Sequence, residues 1–473
     1  MGHRRITPFA VCAAAVIAVT TTVLAVIPWP CLKAPAALIL DVVLPGILLY
    51  RLVFRRSSNH TVVDAVLISA GLGYSLMLCA TLVLHYVPGP LTRRLALICY
   101  GSFAGLLLVA NVLWPYEGRV TSLKRRDWWA IVALCVGALI LRLVNLAYSE
   151  FQGDEVAVLH KAAAAIQGRD DVLFLHRKGP AEILTVLLPY AQGMAINEWG
   201  ARLPFAVANV LGVLAFYQLG AKGFGQGAGL WAGLLALLNG FFVAFGRIVQ
   251  YQSFVLLFSA LGVLMALAYA ADGDRRYLWL SALFLAAGLL AHSDTAFAIL
   301  PAVWLILRAQ AHARLRPGDI VRHDVGPFLM AAAILALFYV PYITSASFGK
   351  TAGYLSLRMG SEAPYNNLDH LLDISTVYNA IYYLALVGAV ALWATLRRTG
   401  SATPLRWVVP LALAALLVQS ALWDEAWLYR EHDWIGLLFL ALFAVAVCGH
   451  EDSILGRPTL LWLGVPFILY MFW

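Results

Sequence analysis

The sequence predicts an all-α, polytopic bundle of transmembrane helices, and three observations carry that expectation. Of 473 residues, 62% are hydrophobic and 12% charged, against roughly 45–50% and about 25% in a typical soluble domain. Apolar windows of about 20 residues, the length that spans a bilayer, recur along the whole chain. The loops between them are short and carry the Lys and Arg residues, the pattern that orients helices with their basic flanks in the cytoplasm. Counting windows gives about 13–16 membrane helices. The net charge of +8 is spread over these loops and forms no single stripe, which excludes nucleic acid as the partner. The six cysteines show neither a disulfide framework nor a zinc spacing.

The elements follow in order. His3, Arg4 and Arg5 precede an apolar run to Pro28, and because a second run resumes at Ala36 the first is expected to be a retained helix and not a cleaved signal. Helices are expected at residues 8–28, 36–53, 62–86 and 94–114. Arg51, Arg55 and Arg56, and then Lys124, Arg125 and Arg126, put the N-terminus and the two following basic loops inside. These four helices read as an accessory module, residues 1–127.

A fifth helix, 128–147, delivers the polar stretch Ser149 to Lys178 to the external side, a first large loop with its own juxtamembrane helices. Three apolar blocks follow at 180–196, 202–219 and 227–245. If all three crossed, Asp274-Arg275-Arg276 and the arginines from Arg308 to Arg322 would fall outside, against the charge rule. An even number of crossings is therefore expected between residues 178 and 250, with two of the blocks forming a non-crossing pair or a re-entrant unit buried against protein. Helices at 253–270, 277–291, 295–309 and 326–343 complete a module spanning 128–343. A long external loop from Thr344 to Asn379 and helices at 379–396, 404–422, 434–449 and 458–473 make up the third region, 344–473.

On this topology one external face collects the unusual polar residues. Asp154 and Glu155 follow the fifth helix; His176, Arg177 and Lys178 enter the next block; Arg247, Gln250, Tyr251 and Gln252 open another; His292 and Asp294 end a helix. Adjacent carboxylates at a helix mouth serve as general base, as metal ligands or as a solvated loop. Ionisable residues at membrane depth are expensive, roughly 2.5–3.5 kcal/mol each on insertion scales, so they are paired or functional. Glu198 and Arg202 stand four apart, the spacing of a helical ion pair, and parity puts them on the cytoplasmic side. The many Trp and Tyr residues, Trp128 and Trp129 among them, read as an interfacial belt. Arg358 and Glu362, and later Arg430, Glu431 and His432, receive no role.

The order of these motifs is an external Asp-Glu, a Lys-x-Pro turn about 25 residues on, Glu-x-x-x-Arg-Leu-Pro, and an Arg opening a polar patch. It resembles the GT-C glycosyltransferases that use polyprenyl-phosphate sugars, the bacterial relatives of protein O-mannosyltransferases and of aminoarabinose and galacturonic acid transferases. The resemblance covers 128–343. It implies that Asp154 is the general base, with Glu155 beside it. It implies a donor phosphate met by Arg177, Lys178 and Arg247. His176, Gln250, Tyr251, Gln252, His292 and Asp294 are further substrate-binding candidates, and a divalent cation, Mg or Mn, could be held by Glu155 or His176. The family's Lys-Pro-Pro turn is matched in part by Lys178-Gly179-Pro180, and its second acidic residue falls near Gln252.

The activity implied is inverting transfer of a monosaccharide from a polyprenyl-phosphate donor to a hydroxyl of a glycan, lipid or protein. It would take place at the external, periplasmic face of a multi-pass protein of the inner (plasma) membrane, in contact with membrane lipid. A transporter or flippase of lipid-linked sugars is the alternative. Transporters show repeat symmetry and broken helices at the midplane, whereas the acidic motif here falls in an interface loop. A non-catalytic assembly subunit is the third reading, disfavoured by the intact Asp-Glu pair.

Overall fold

The computed structural model describes residues 7–56, 59–122, 125–176, 178–314 and 316–360. Sixteen α-helices occupy them. They are α1 (Pro8–Val26), α2 (Pro30–Leu38), α3 (Leu44–Val53), α4 (Val62–His85), α5 (Arg93–Leu113), α6 (Arg125–Leu143), α7 (Gly153–Ile166) and α8 (Ala181–Ala191), then α9 (Glu198–Phe224), α10 (Gln226–Leu238), α11 (Gly240–Phe245), α12 (Gln252–Asp272), α13 (Arg276–Ala291), α14 (Ala296–His312), α15 (Pro317–Thr344) and α16 (Ala346–Gly360). Eight helical segments are long and apolar enough to cross a bilayer. The chain is a polytopic helical membrane protein. The only strands among the described residues, β1 (Asn59–Thr61) and β2 (Arg119–Thr121), pair in parallel and tie two loops together.

Side-chain contacts fix which helix ends lie together. At one end, here the basic end, Arg276 donates to the Val53 carbonyl, Arg275 to that of Arg322, and Lys222 pairs with Asp64 at 2.8 Å. At the other, the site end, Arg202 meets Glu155 and Tyr251 stacks on His292. The basic loops that the charge rule groups on one side thus gather at one end of the bundle.

Helices α2 and α3 run on through a π-helical turn, Ile39–Val43, as one span from Pro30 to Val53. This span starts earlier than the expected residue 36, since Pro30 and Pro35 are both accommodated, Pro30 in the first turn where its missing N–H is unneeded. The polar stretch 149–178 contains α7 and a 3₁₀ turn, Asp170–His176, the juxtamembrane helices the sequence predicts. The first part of the long loop expected from Thr344 is helical instead, as α16. The helices expected at 379–396 and beyond, with Glu362, Arg430, Glu431 and His432, lie outside the described residues.

The three apolar blocks resolve differently from the expected pair. Segment 178–202 leaves the site end and comes back to it, because Lys178 lies beside Gln250 and Arg202 beside Glu155. Its helix, α8, has 11 residues, about 17 Å of rise and too short for a core of about 30 Å. One block is therefore re-entrant, not two. The other two blocks form a hairpin, α9 and the α10–α11 pair, turning at Gly225 with φ of 95°. Two crossings separate residues 178 and 250, an even number as the charge rule requires. Glu198 and Arg202 accordingly belong to the site end and not to the basic end where parity had placed them.

The break at Asn239 between α10 and α11 is stabilised from α6. Arg142, fully buried, donates to the carbonyls of Ala236 and Leu237 and to Asn209 Oδ1. Asn239 caps α11 by accepting from the Phe242 N–H. The largest core cluster runs from Val42 to Tyr342, so α3, α4 and α5 share one apolar core with the later helices, while α1 packs in a separate cluster against the span Pro30–Val53 and α5.

Candidate active site

Asp154 and Glu155 open α7, and the helix start sends them to different places. Glu155 is at the third helical position and returns to accept from the Gln152 N–H at 2.9 Å, a capping box. Its two oxygens also accept from Arg202 Nε at 2.9 Å, Arg202 Nη2 at 2.8 Å and the Val249 N–H at 2.9 Å. Arg202 spends its other N–H groups on the carbonyls of Leu146, Ser149 and Glu150. Both side chains are fully buried. This pair locks the loop before α7 to α9 and to the turn before α12.

Asp154 is exposed. Its Oδ2 accepts from Gln250 Nε2 at 3.0 Å. Gln250, buried, offers its Oε1 to Lys178 Nζ at 3.5 Å, a long contact. Lys178 Nζ also lies 4.8 Å from the centre of the Tyr251 ring, a cation–π distance. Tyr251 stacks on His292 with centroids 4.0 Å apart and an interplanar angle of 11°. His292 Nδ1 is 2.9 Å from Asp294 Oδ1. Five of the polar residues singled out in the sequence, Lys178, Gln250, Tyr251, His292 and Asp294, therefore form one connected row with Asp154 at its open end.

Glu182, in the first turn of α8, went unnoticed in the sequence because it reads as part of an apolar block. It is fully buried, accepts from the Tyr251 N–H at 2.6 Å through Oε1, and meets His176 Nε2 at 2.5 Å through Oε2. A buried carboxylate needs such partners. His176 thus supports the row from behind. The Lys178-Gly179-Pro180 turn is pressed on the end of α13, where a Cβ on Gly179 would stand 1.9 Å from the Leu290 carbonyl oxygen. That contact explains the glycine where the resembling family has proline: backbone lies where a side chain would go.

Three expectations change. Arg247, expected at the donor phosphate, donates to the carbonyls of Leu141 and Asn145 at 2.9 Å each and lies over the Tyr148 ring, where it closes the C-terminal end of α6. Gln252 begins α12 outside the row, and its Oε1 is buried with no partner among the described residues. Arg202 pairs with Glu155 in place of Glu198. Arg177 lies outside the described residues.

The residues do not fit a divalent ion held by Glu155. Its four hydrogen bonds occupy the lone-pair directions a metal would need. His176 is committed to Glu182, and no group of three His, Cys, Asp or Glu side chains converges among the described residues.

Residues 190–343 match the family described as dolichyl-phosphate-mannose-protein mannosyltransferase, a GT-C glycosyltransferase family. The matched segment holds Arg202, Gln250, Tyr251, His292 and Asp294, and starts after Asp154 and Lys178. No curated protein and no solved structure matches the chain. Together with the eight spans, the match identifies a multi-pass membrane glycosyltransferase.

Proposed function

We propose that this chain transfers a monosaccharide from a polyprenyl-phosphate donor to an acceptor hydroxyl, with Asp154 as general base. The observation that carries the reading is the division of labour in the Asp-Glu pair: Glu155 is sealed and fully hydrogen-bonded, while Asp154 keeps an exposed carboxylate oriented by one neutral amide. A base must reach the proton it takes. Asp154 accepts the acceptor's proton as its oxygen attacks the anomeric carbon, and the bond to the lipid phosphate breaks. One in-line displacement inverts the anomeric centre.

The departing phosphate gains charge and needs a cation where that charge develops. Lys178, held half-buried against Tyr251 and Gln250, supplies it as a point charge. Tyr251 and His292 present a flat aromatic wall beside it. The charge rule supports an external site in this reading, because Asp154 lies at the end opposite the basic loops.

The test is release of polyprenyl phosphate by the full-length protein in lipid, across a panel of lipid-linked monosaccharides with a hydroxyl acceptor. Turnover of one donor with inversion is expected. Retention of configuration, or transport of intact lipid-linked sugar with no release, would overturn the reading.

A further inference from the structure

A second feature lies at the basic end, away from the reaction. An apolar groove of about 420 Å³ runs between the span Pro30–Val53, α4 and α9, lined among others by Leu38, Ile47, Ala70, Val207 and Leu211. Its size falls within the range of small-molecule sites. Val43, Val62 and Val66 of the lining are 40%, 39% and 46% exposed, so the groove is open on its lipid side. Its floor is rigid. A Cβ on Gly46 or on Gly73 would come within 2.0 Å of the facing backbone, so α4 and the span Pro30–Val53 touch main chain to main chain.

Arg51 lines the groove at its basic end. Its guanidinium carbon is 3.7 Å from the centre of the Phe9 ring and 4.8 Å from that of Tyr116. Its Nε is buried with no hydrogen-bond partner among the described residues. As a lining residue at the groove's basic end, Arg51 places a guanidinium where a phosphate oxygen would find a charged donor. Arg55 and Arg56, one turn further, line a second cavity of about 500 Å³ together with Glu117 and Asn111. The polarity of the groove is that of a lipid: cations at the membrane surface, and an apolar slot reaching toward Tyr74 and Val207 in the middle of their helices.

We propose that this groove holds one anionic phospholipid of the leaflet at the basic end, its phosphate on Arg51 and one acyl chain between the span Pro30–Val53, α4 and α9. The site is separate from glycosyl transfer at the opposite end and does not depend on that reading. A juxtamembrane cation contributes about 1 kcal/mol toward anionic lipid, which converts to about fivefold in affinity.

The full-length protein is reconstituted in nanodiscs of equal phosphatidylglycerol and phosphatidylcholine, extracted, and its retained lipid counted by native mass spectrometry. Wild type should retain phosphatidylglycerol over phosphatidylcholine by about fivefold or more, Arg51→Lys should keep most of that preference, and Arg51→Gln should abolish it. Ala70→Phe, which fills the slot, should reduce retention of both lipids at an unchanged melting temperature. Equal retention of the two lipids by wild type, or an undiminished preference in Arg51→Gln, would overturn the proposal. So would displacement of the lipid by inorganic phosphate alone, which marks an anion site with no use for the chain. Displacement by undecaprenyl phosphate at equal mole fraction would assign the groove to a carrier lipid and overturn it as well.

Discussion

Glu155 and Arg202, 47 residues apart in the chain, form a two-point ion pair with both side chains fully buried. Neighbours in sequence therefore separate in role, since Glu155 builds the scaffold on which Asp154 is displayed. Removing one partner strands the other charge, which costs about 3–5 kcal/mol in buried pairs. Arg202→Ala and Glu155→Ala should each lower the melting temperature steeply, as followed by thermal shift in detergent, whereas Asp154→Asn should leave it unchanged. A Glu155→Ala protein of normal stability would contradict the assignment.

Gly179 is expected to tolerate no side chain. A Cβ there meets the Leu290 carbonyl oxygen, backbone that cannot rotate aside. Gly179→Ala must push the Lys178 turn off the end of α13 and pull Lys178 from Tyr251. Donor turnover should fall by about tenfold or more, corresponding to some 1.4 kcal/mol or above, while an exposed control such as Gly227→Ala, with open space around its Cβ, should turn over donor as wild type does.

Most of the bundle was legible in the sequence because hydropathy and basic loops report directly on membrane crossing. The re-entrant α8 was legible only as a parity conflict, since its 11 residues are as apolar as a true span. In the site, Asp154, Lys178, Gln250, Tyr251, His292 and Asp294 stood out as polar residues on one predicted face. Glu182 did not, being a lone acid in an oily block, and neither did the partner of Arg202. Local spacing suggested Glu198 for it, but a fully buried guanidinium is satisfied by what the tertiary fold brings near, and that is Glu155 together with three carbonyls. Arg247 looked like a phosphate ligand because the sequence cannot show that the end of α6 needs its N–H groups.

Glu182 acts through Tyr251 and His176. Glu182→Ala leaves the Tyr251 N–H and the His176 ring without their acceptor, and bonds to a charged group are worth about 1.5–3 kcal/mol. Donor turnover should fall by about tenfold or more, and Glu182→Gln, which keeps an acceptor for Tyr251, should lose less. Equal rates for Ala and wild type would remove Glu182 from the site.

Stability should depend on pH through His60 at the basic end. Its ring lies between the Tyr50 and Tyr277 hydroxyls at 2.8 and 2.9 Å and edge-on to Phe54. Burial pushes its pKa below the ordinary 6.5, and the cations Lys222 and Arg276 push the same way against Asp64 and Asp272. The unfolded chain then binds the proton more readily, so this contribution is complete above pH 6.5 and is lost as pH falls through the lowered value. Melting temperature should drop between pH 7 and the depressed titration point, and His60→Gln should flatten that dependence.

The central claim, that Asp154 takes the acceptor's proton, is tested most directly by the initial rate of polyprenyl phosphate release from wild type and Asp154→Asn with matched melting temperatures. The asparagine should lose about 10²–10⁴-fold, the usual contribution of a positioned general base. A folded Asp154→Asn protein that releases polyprenyl phosphate at the wild-type rate would contradict the account.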